Sequence, residues 1–257
     1  MSDHVQVTIA DAVMTLTLNR PEKKNALTNA MYETLGNALS QAESDRAVRV
    51  VLIQAAGDSF TAGNDLGDFA AVASGALQRS DMKSTMFLNA LAAAQKPLVA
   101  AVQGQAVGIG VTMLLHCDFS IVADDAKLST PFVNLGLVPE AASSLLLPAR
   151  VGYAMAFRLF ALGEAIDGRT AAATGLVTAA LPIADLHAEA RSVALKLAKK
   201  PAGALRAMKG LLRDVALIKA TMSKEGEIFG ARLKSPETAE ALAAFAAKRP
   251  PDFSRID

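Results

Sequence analysis

The run Arg49-Val50-Val51-Leu52-Ile53 constrains the fold more than any other stretch of this chain. It is short, continuous and apolar, which marks a strand buried on both faces. Upstream, Val5 to Ile9 and Val13 to Leu18 alternate polar and apolar residues around Ala10-Asp11-Ala12, the pattern of a hairpin. Between them and the buried run, Thr28 stands ready to cap a helix whose Met31, Leu35 and Leu39 recur every four residues. The order then repeats, with helical material from Asp65 to Gln95, a strand at Leu98 to Val102, a Gly-rich turn, a short helix from about Gly108 to His116 and a strand at Asp118 to Ala123. This predicts an α/β fold of repeating strand, strand, helix units. Beyond Ala141 the strand signal fades, apart from Leu176-Val177-Thr178, and a mainly helical C-terminal third is expected. The expected organisation is a core over residues 1–195 and a helical region over 196–257.

Composition narrows the function. The 26 Lys and Arg residues against 25 Asp and Glu give a net charge of +1, so no broad field draws the chain to nucleic acid or to an acidic membrane surface. The apolar stretch from Pro97 to Leu115 is interrupted by Gln103, Gln105 and three glycines, and no membrane span is expected. Cys117 is the one cysteine; it forms no internal disulfide and is expected to be a small buried residue in a reducing compartment. Neither a secretory leader nor a Ser-Lys-Leu ending is present, which points to the cytoplasm.

His4, His116 and His187 fall in separate elements at no metal-ligand spacing, so no metal site is expected. There is no GxSxG elbow, and Gly104 to Gly110 matches neither GxGxxG nor a P-loop. Those glycines suit a turn that presents backbone N–H groups at the start of a helix. Phe60-Thr61-Ala62-Gly63-Asn64-Asp65-Leu66 has the same character, and two such loops can converge on one developing oxyanion.

The order of these motifs carries a resemblance. Asn19-Arg20-Pro21 with Asn25-Ala26-Leu27, then Phe60 to Leu66, then Ala106-Val107-Gly108-Ile109-Gly110, then Leu135-Gly136-Leu137-Val138-Pro139-Glu140, resemble the enoyl-CoA hydratase/isomerase (crotonase) family over essentially the whole chain. Ala62 to Leu66, Val107-Gly108-Ile109 with Val111-Thr112, Thr130-Pro131-Phe132, and Pro139-Glu140 with Ser143-Ser144 look like its Δ3,Δ2-enoyl-CoA isomerase branch. The resemblance implies a spiral of ββα turns, a helical C-terminal region used in trimerisation, and a homotrimer or dimer of trimers. It implies an acyl-CoA thioester substrate, with CoA part of the substrate and no separate cofactor.

Carried over position by position, the oxyanion-hole N–H groups fall on Ala62 and Ile109, with the Ile109 side chain turned away from the thioester. The two hydratase glutamates fall on Thr112 and Phe132, which are not carboxylates. Glu140 matches the isomerase glutamate and sits in an apolar run that tends to raise its pKa; a cap on the helix beginning near Ala141 is its alternative role. CoA contacts are implied at Lys24, Ala26, Ala62, Gly63, Asn64, Asp65, Leu66 and Ile109, and at Phe245 and Lys248 from the last helix. The acyl pocket is expected between Leu66 and Phe87, with Phe69, Met82, Met86 and Phe87. The implied activity moves a 3-enoyl-CoA double bond to trans-2-enoyl-CoA in fatty acid degradation. A 2-enoyl-CoA hydratase and a noncatalytic acyl-CoA-binding protein are the alternatives.

Overall fold

The structure, a computed structural model, describes residues 2–65, 67–68, 71, 78, 81–254 and 256. The chain opens with a hairpin of β1 (Val5–Ala10) and β2 (Val13–Leu18), paired antiparallel from Val5 opposite Leu18 to Ala10 opposite Val13. Asp11 and Ala12 form its two-residue turn, both at positive φ, as a tight hairpin of right-handed twist requires. Helix α1 (Asn29–Ser44) follows, and the Thr28 hydroxyl accepts from the Met31 N–H as its cap. Met31, Leu35 and Leu39 are buried, so the four-residue spacing marks the inward face.

Strand β3 (Val50–Ala55) pairs parallel with β2, and β4 (Leu98–Val102) pairs parallel with β3. All five residues of β4 are buried, and the first four of β3 are buried likewise. Helix α2 (Ser84–Ala93) packs on α1 where Gly36 leaves room: a Cβ there would lie 2.8 Å from Met86 Cε.

The turn after β4 is more than a turn. It contains β5 (Gln105–Val107), followed by helix α3 (Ile109–Thr112), a 3-10 turn to His116, β6 (Phe119–Ala123) and β7 (Lys127–Ser129). Next come α4 (Ser143–Val151), α5 (Tyr153–Leu162), β8 (Ile166–Asp167), α6 (Gly168–Ala173) and β9 (Ala179–Leu181). Two sheets result among the described residues: β1-β2-β3-β4-β6-β9, and a smaller one of β5-β7-β8. From β4 onward the chain places one strand in each sheet per turn, β4 with β5, β6 with β7 and β8 with β9, the repeat of the ββα spiral. The strand expected at Leu176 to Thr178 lies slightly later, at β9, because Leu176 and Val177 are still hydrogen-bonded to the end of α6.

Four further helices complete the chain: α7 (Ile183–Ala198), α8 (Ala202–Leu212), α9 (Val215–Arg232) and α10 (Pro236–Ala246). Helix α7 covers β3, β4 and β6 and runs through the expected boundary at 195/196; the chain breaks at Pro201. Among the described residues no helix is long and apolar enough to cross a membrane. Cys117 is buried, and its thiol is pushed up to about 12 by that burial.

Candidate active site

Two loops meet at the centre of the site. Thr61 bridges Ala106: its N–H donates to Gln105 O at 2.9 Å, and its carbonyl accepts from Val107 N–H at 3.0 Å. Gly63 at φ +94 allows the close pass, since a Cβ there would stand 2.9 Å from Val107 O. Asp65 anchors the same loop to the N-terminal region through an ion pair with Arg20 at 2.7 Å, and the Arg20 hydrogen bond holds its carboxyl below the usual range.

The crossing fixes which backbone donors are free. Ala62 N–H donates to Lys24 O at 2.8 Å, so the oxyanion role expected for Ala62 is corrected: that donor is already engaged. Two residues on, the Asn64 N–H has no hydrogen-bond partner among the described residues. Ile109 is the first residue of α3, where an N–H has no partner within the helix. Asn64 and Ile109 line one cavity of about 340 Å³, whereas Ala62 does not. The Ile109 side chain belongs to the main core. Tyr32, fully buried, donates its hydroxyl to Asn64 Oδ1 at 2.5 Å and holds that loop from α1.

Glu140 lines the same cavity and is the one carboxylate among its described lining residues. It does not cap α4. That helix begins at Ser143 with Ala142 as its cap residue, and no local side chain caps it. The Thr112 hydroxyl, fully buried, donates to Glu140 Oε1 at 2.5 Å. Burial raises the Glu140 carboxyl to about 7; the Thr112 hydrogen bond works against that shift and the nearby charge of Glu225 adds to it. A carboxyl poised there changes protonation state near neutral pH, the condition for general acid-base work.

The remaining walls differ from the sequence expectation. Met82 lines the cavity, but Phe87 is buried against Tyr32 with ring centroids 5.6 Å apart, and Met86 packs at Gly36. Phe69 and Leu66 lie outside the described residues. The unforeseen wall is α9, which contributes Lys219, Met222, Ser223, Gly226 and Phe229, and Leu233 follows just beyond its end. Phe132 is buried in a small cluster with Leu137 and Leu233. Gly63 is buried in the crossing; Lys24 is exposed in a left-handed turn, and Ala26 O accepts from Arg20. Phe245 and Lys248 are exposed on and just after α10, and neither they nor Lys24 and Ala26 line the cavity. Among the described residues no group of three or more His, Cys, Asp or Glu is placed to hold a metal ion.

Comparison with known proteins matches this geometry to a family. The sequence family described as enoyl-CoA hydratase/isomerase matches residues 8–255. Enoyl-CoA delta isomerase 2 of Rattus norvegicus is 35% identical over 97% of this chain, which spans 65% of that protein's length. The 2,3-dehydroadipyl-CoA hydratase of Escherichia coli (strain K12) is 36% identical over 94% of both chains. The crystal structure of an enoyl-CoA hydratase/isomerase from Pseudoalteromonas atlantica T6c superposes with a TM-score of 0.92 at 41% identity, covering 98% of this chain and 100% of the other. The chain therefore belongs to the enoyl-CoA hydratase/isomerase, or crotonase, family.

Proposed function

We propose that this protein is an enoyl-CoA isomerase that moves the double bond of a 3-enoyl-CoA to the trans-2 position. One observation carries the reading: a single desolvated carboxylate, Glu140, lines the same cavity as Asn64 and Ile109, whose backbone N–H groups have no hydrogen-bond partner among the described residues. An allylic shift needs one base that takes a proton from C2 and returns it to C4. Syn hydration needs a second carboxylate, and Thr112 and Phe132 occupy the positions where the resemblance puts the hydratase glutamates.

In this mechanism Glu140 removes the C2 proton while the thioester oxygen lies between the N–H groups of Asn64 and Ile109. Charge then collects on that oxygen as the dienolate forms, and each preorganised donor contributes about 3 kcal/mol to its stabilisation. Glu140, now protonated, delivers the proton to C4. The apolar wall of Met82, Leu88, Met222 and Phe229 receives the acyl chain. Lys24, Ala26 and Gly63 to Asp65 flank the CoA portion, with Phe245 and Lys248 reaching it within a homotrimer or a dimer of trimers; the exposed Leu211, Leu212, Tyr153 and Phe157 supply apolar surface for association.

The test is turnover of 3-enoyl-CoA and of trans-2-enoyl-CoA by wild type and by Glu140→Gln. Isomerisation that falls by roughly 100- to 10,000-fold in the variant, with little hydration in either protein, is the expected result. Dominant hydration by the wild type would sink the isomerase reading, and tight thioester binding with neither reaction would favour a binding protein.

A further inference from the structure

The residues directly after Glu140 are held in an unusual backbone. Ala141 and Ala142 both lie in the left-handed region, at φ +61 and +57, although neither is glycine. Each such residue costs free energy and persists only where its surroundings hold it. Ala142 and Ser144 also stand at the N-terminus of α4, whose first N–H groups have no partner within the helix. A capping side chain next in sequence would ordinarily accept from them. Here the acceptor comes from another part of the chain: Glu225, buried on α9, takes the Ala142 N–H on Oε2 at 2.6 Å and the Ser144 N–H on Oε1 at 2.8 Å. His116 completes the hold, with Nε2 2.8 Å from Ala141 O.

We propose that Glu225 is a positioning residue for Glu140, which clamps the left-handed Ala141-Ala142 segment and so sets where the Glu140 carboxyl stands in the cavity. Its helix makes the clamp relevant to substrate as well. Met222, Gly226 and Phe229 lie three residues before, one after and four after Glu225, and all three line the cavity. One rigid helix therefore touches both the acyl site and the loop that carries the base. A carboxylate is the chemistry required, because both of its oxygens accept. A glutamine keeps one acceptor and sets its NH2 group against an N–H donor.

The inference uses the proposed isomerisation by Glu140 as one of its readouts, so its experiment needs a second that does not depend on turnover. We would make Glu225→Gln and Glu225→Asp, count competent sites by binding of a nonreactive CoA thioether, and measure kcat and KM for 3-enoyl-CoA. We would also follow the Glu140 carboxyl carbon by NMR across pH, together with hydrogen exchange at the Ala142 and Ser144 amides. Clamp loss in Glu225→Gln should lower kcat per site roughly 10- to 100-fold, the scale of an ångström-level misplacement, with the smaller change in KM. The Glu140 titration should move and the two amides should exchange faster. Adding Ala142→Gly should restore part of kcat, because glycine takes this φ without penalty. Should Glu225→Gln fail to fold, Glu225→Asp, which keeps two acceptors on a shorter stem, carries the same measurements. A kcat per site equal to wild type, with an unmoved Glu140 titration and unchanged amide exchange, overturns the clamp. If the wild type does not isomerise, the functional reading falls and the titration and exchange data alone decide the clamp.

Discussion

The Thr112 hydroxyl donates to Glu140 Oε1 at 2.5 Å across 28 residues of sequence, and Oε2 has no hydrogen bond among the described residues. The threonine stands where the resemblance places a hydratase glutamate. Its hydroxyl turns what would be a second acid-base group into a fixed donor, so one oxygen of Glu140 is held and the other is left for chemistry. The hydrogen bond also stabilises the charged form and opposes the upward shift that burial imposes.

Thr112→Val should therefore push the Glu140 pKa further above about 7. The base works deprotonated, so the acid limb of the kcat/KM profile should move to higher pH. Activity at pH 7 should fall roughly 10-fold, the worth of one hydrogen bond to a charged group, and recover toward pH 9. Thr112→Ser, which keeps the hydroxyl, should behave like wild type. An unshifted profile in Thr112→Val would show that this contact does not tune Glu140.

Glu140 and His116 pull stability in opposite directions with pH. The folded Glu140 pKa of about 7 lies above its ordinary 4.5, so the native state holds the extra proton in that window and stability falls as pH rises through it. His116 is lowered from 6.5 to about 4 by burial, so the unfolded state holds the extra proton and stability falls as pH drops from 6.5 to 4. Replacing the carboxyl by an amide removes only the first effect. Glu140→Gln should match wild type near pH 4 and exceed it by on the order of 2 kcal/mol at pH 8, a figure reduced for the partial exposure of the residue. Denaturant midpoints at the two pH values check this; equal differences at both would mean that Glu140 is not desolvated.

How far the sequence discloses the site depends on the distance over which each feature is decided. The β1-β2 hairpin and the buried face of α1 are set by neighbours within a few residues, and alternation and four-residue spacing reveal them. Strands β5, β7 and β8 have three residues or fewer and show no period at all. Glu140 is legible because a linear motif surrounds it. Glu225 is not: its partners Ala142 and Ser144 lie 83 and 81 residues away, and nothing beside Glu225 signals a cap. The misassignment of Ala62 has the same origin. Whether a backbone N–H is free depends on where a remote carbonyl falls, and the left-handed turn at Lys24 carries its carbonyl within reach of Ala62 rather than Asn64.

Gly63→Ala separates the geometric demand of the loop crossing from ordinary backbone strain. At φ +94 the alanine is strained wherever it sits, and here its Cβ would also meet Val107 O at 2.9 Å, a backbone atom that has no rotamer to escape into. The loop must give way, moving Asn64 relative to Ile109 across the cavity that both line. Gly152 supplies the control, since it too has positive φ, +76, but a Cβ there meets nothing within 4 Å. Both alanine variants should lose about 1–3 kcal/mol of stability from the strained φ alone. Only Gly63→Ala should also lose turnover, by roughly 100-fold or more, because displacing one oxyanion donor costs that much. Folded-state kcat for the two proteins makes the comparison; equal kcat values would mean that the crossing at Gly63 does not position the donors.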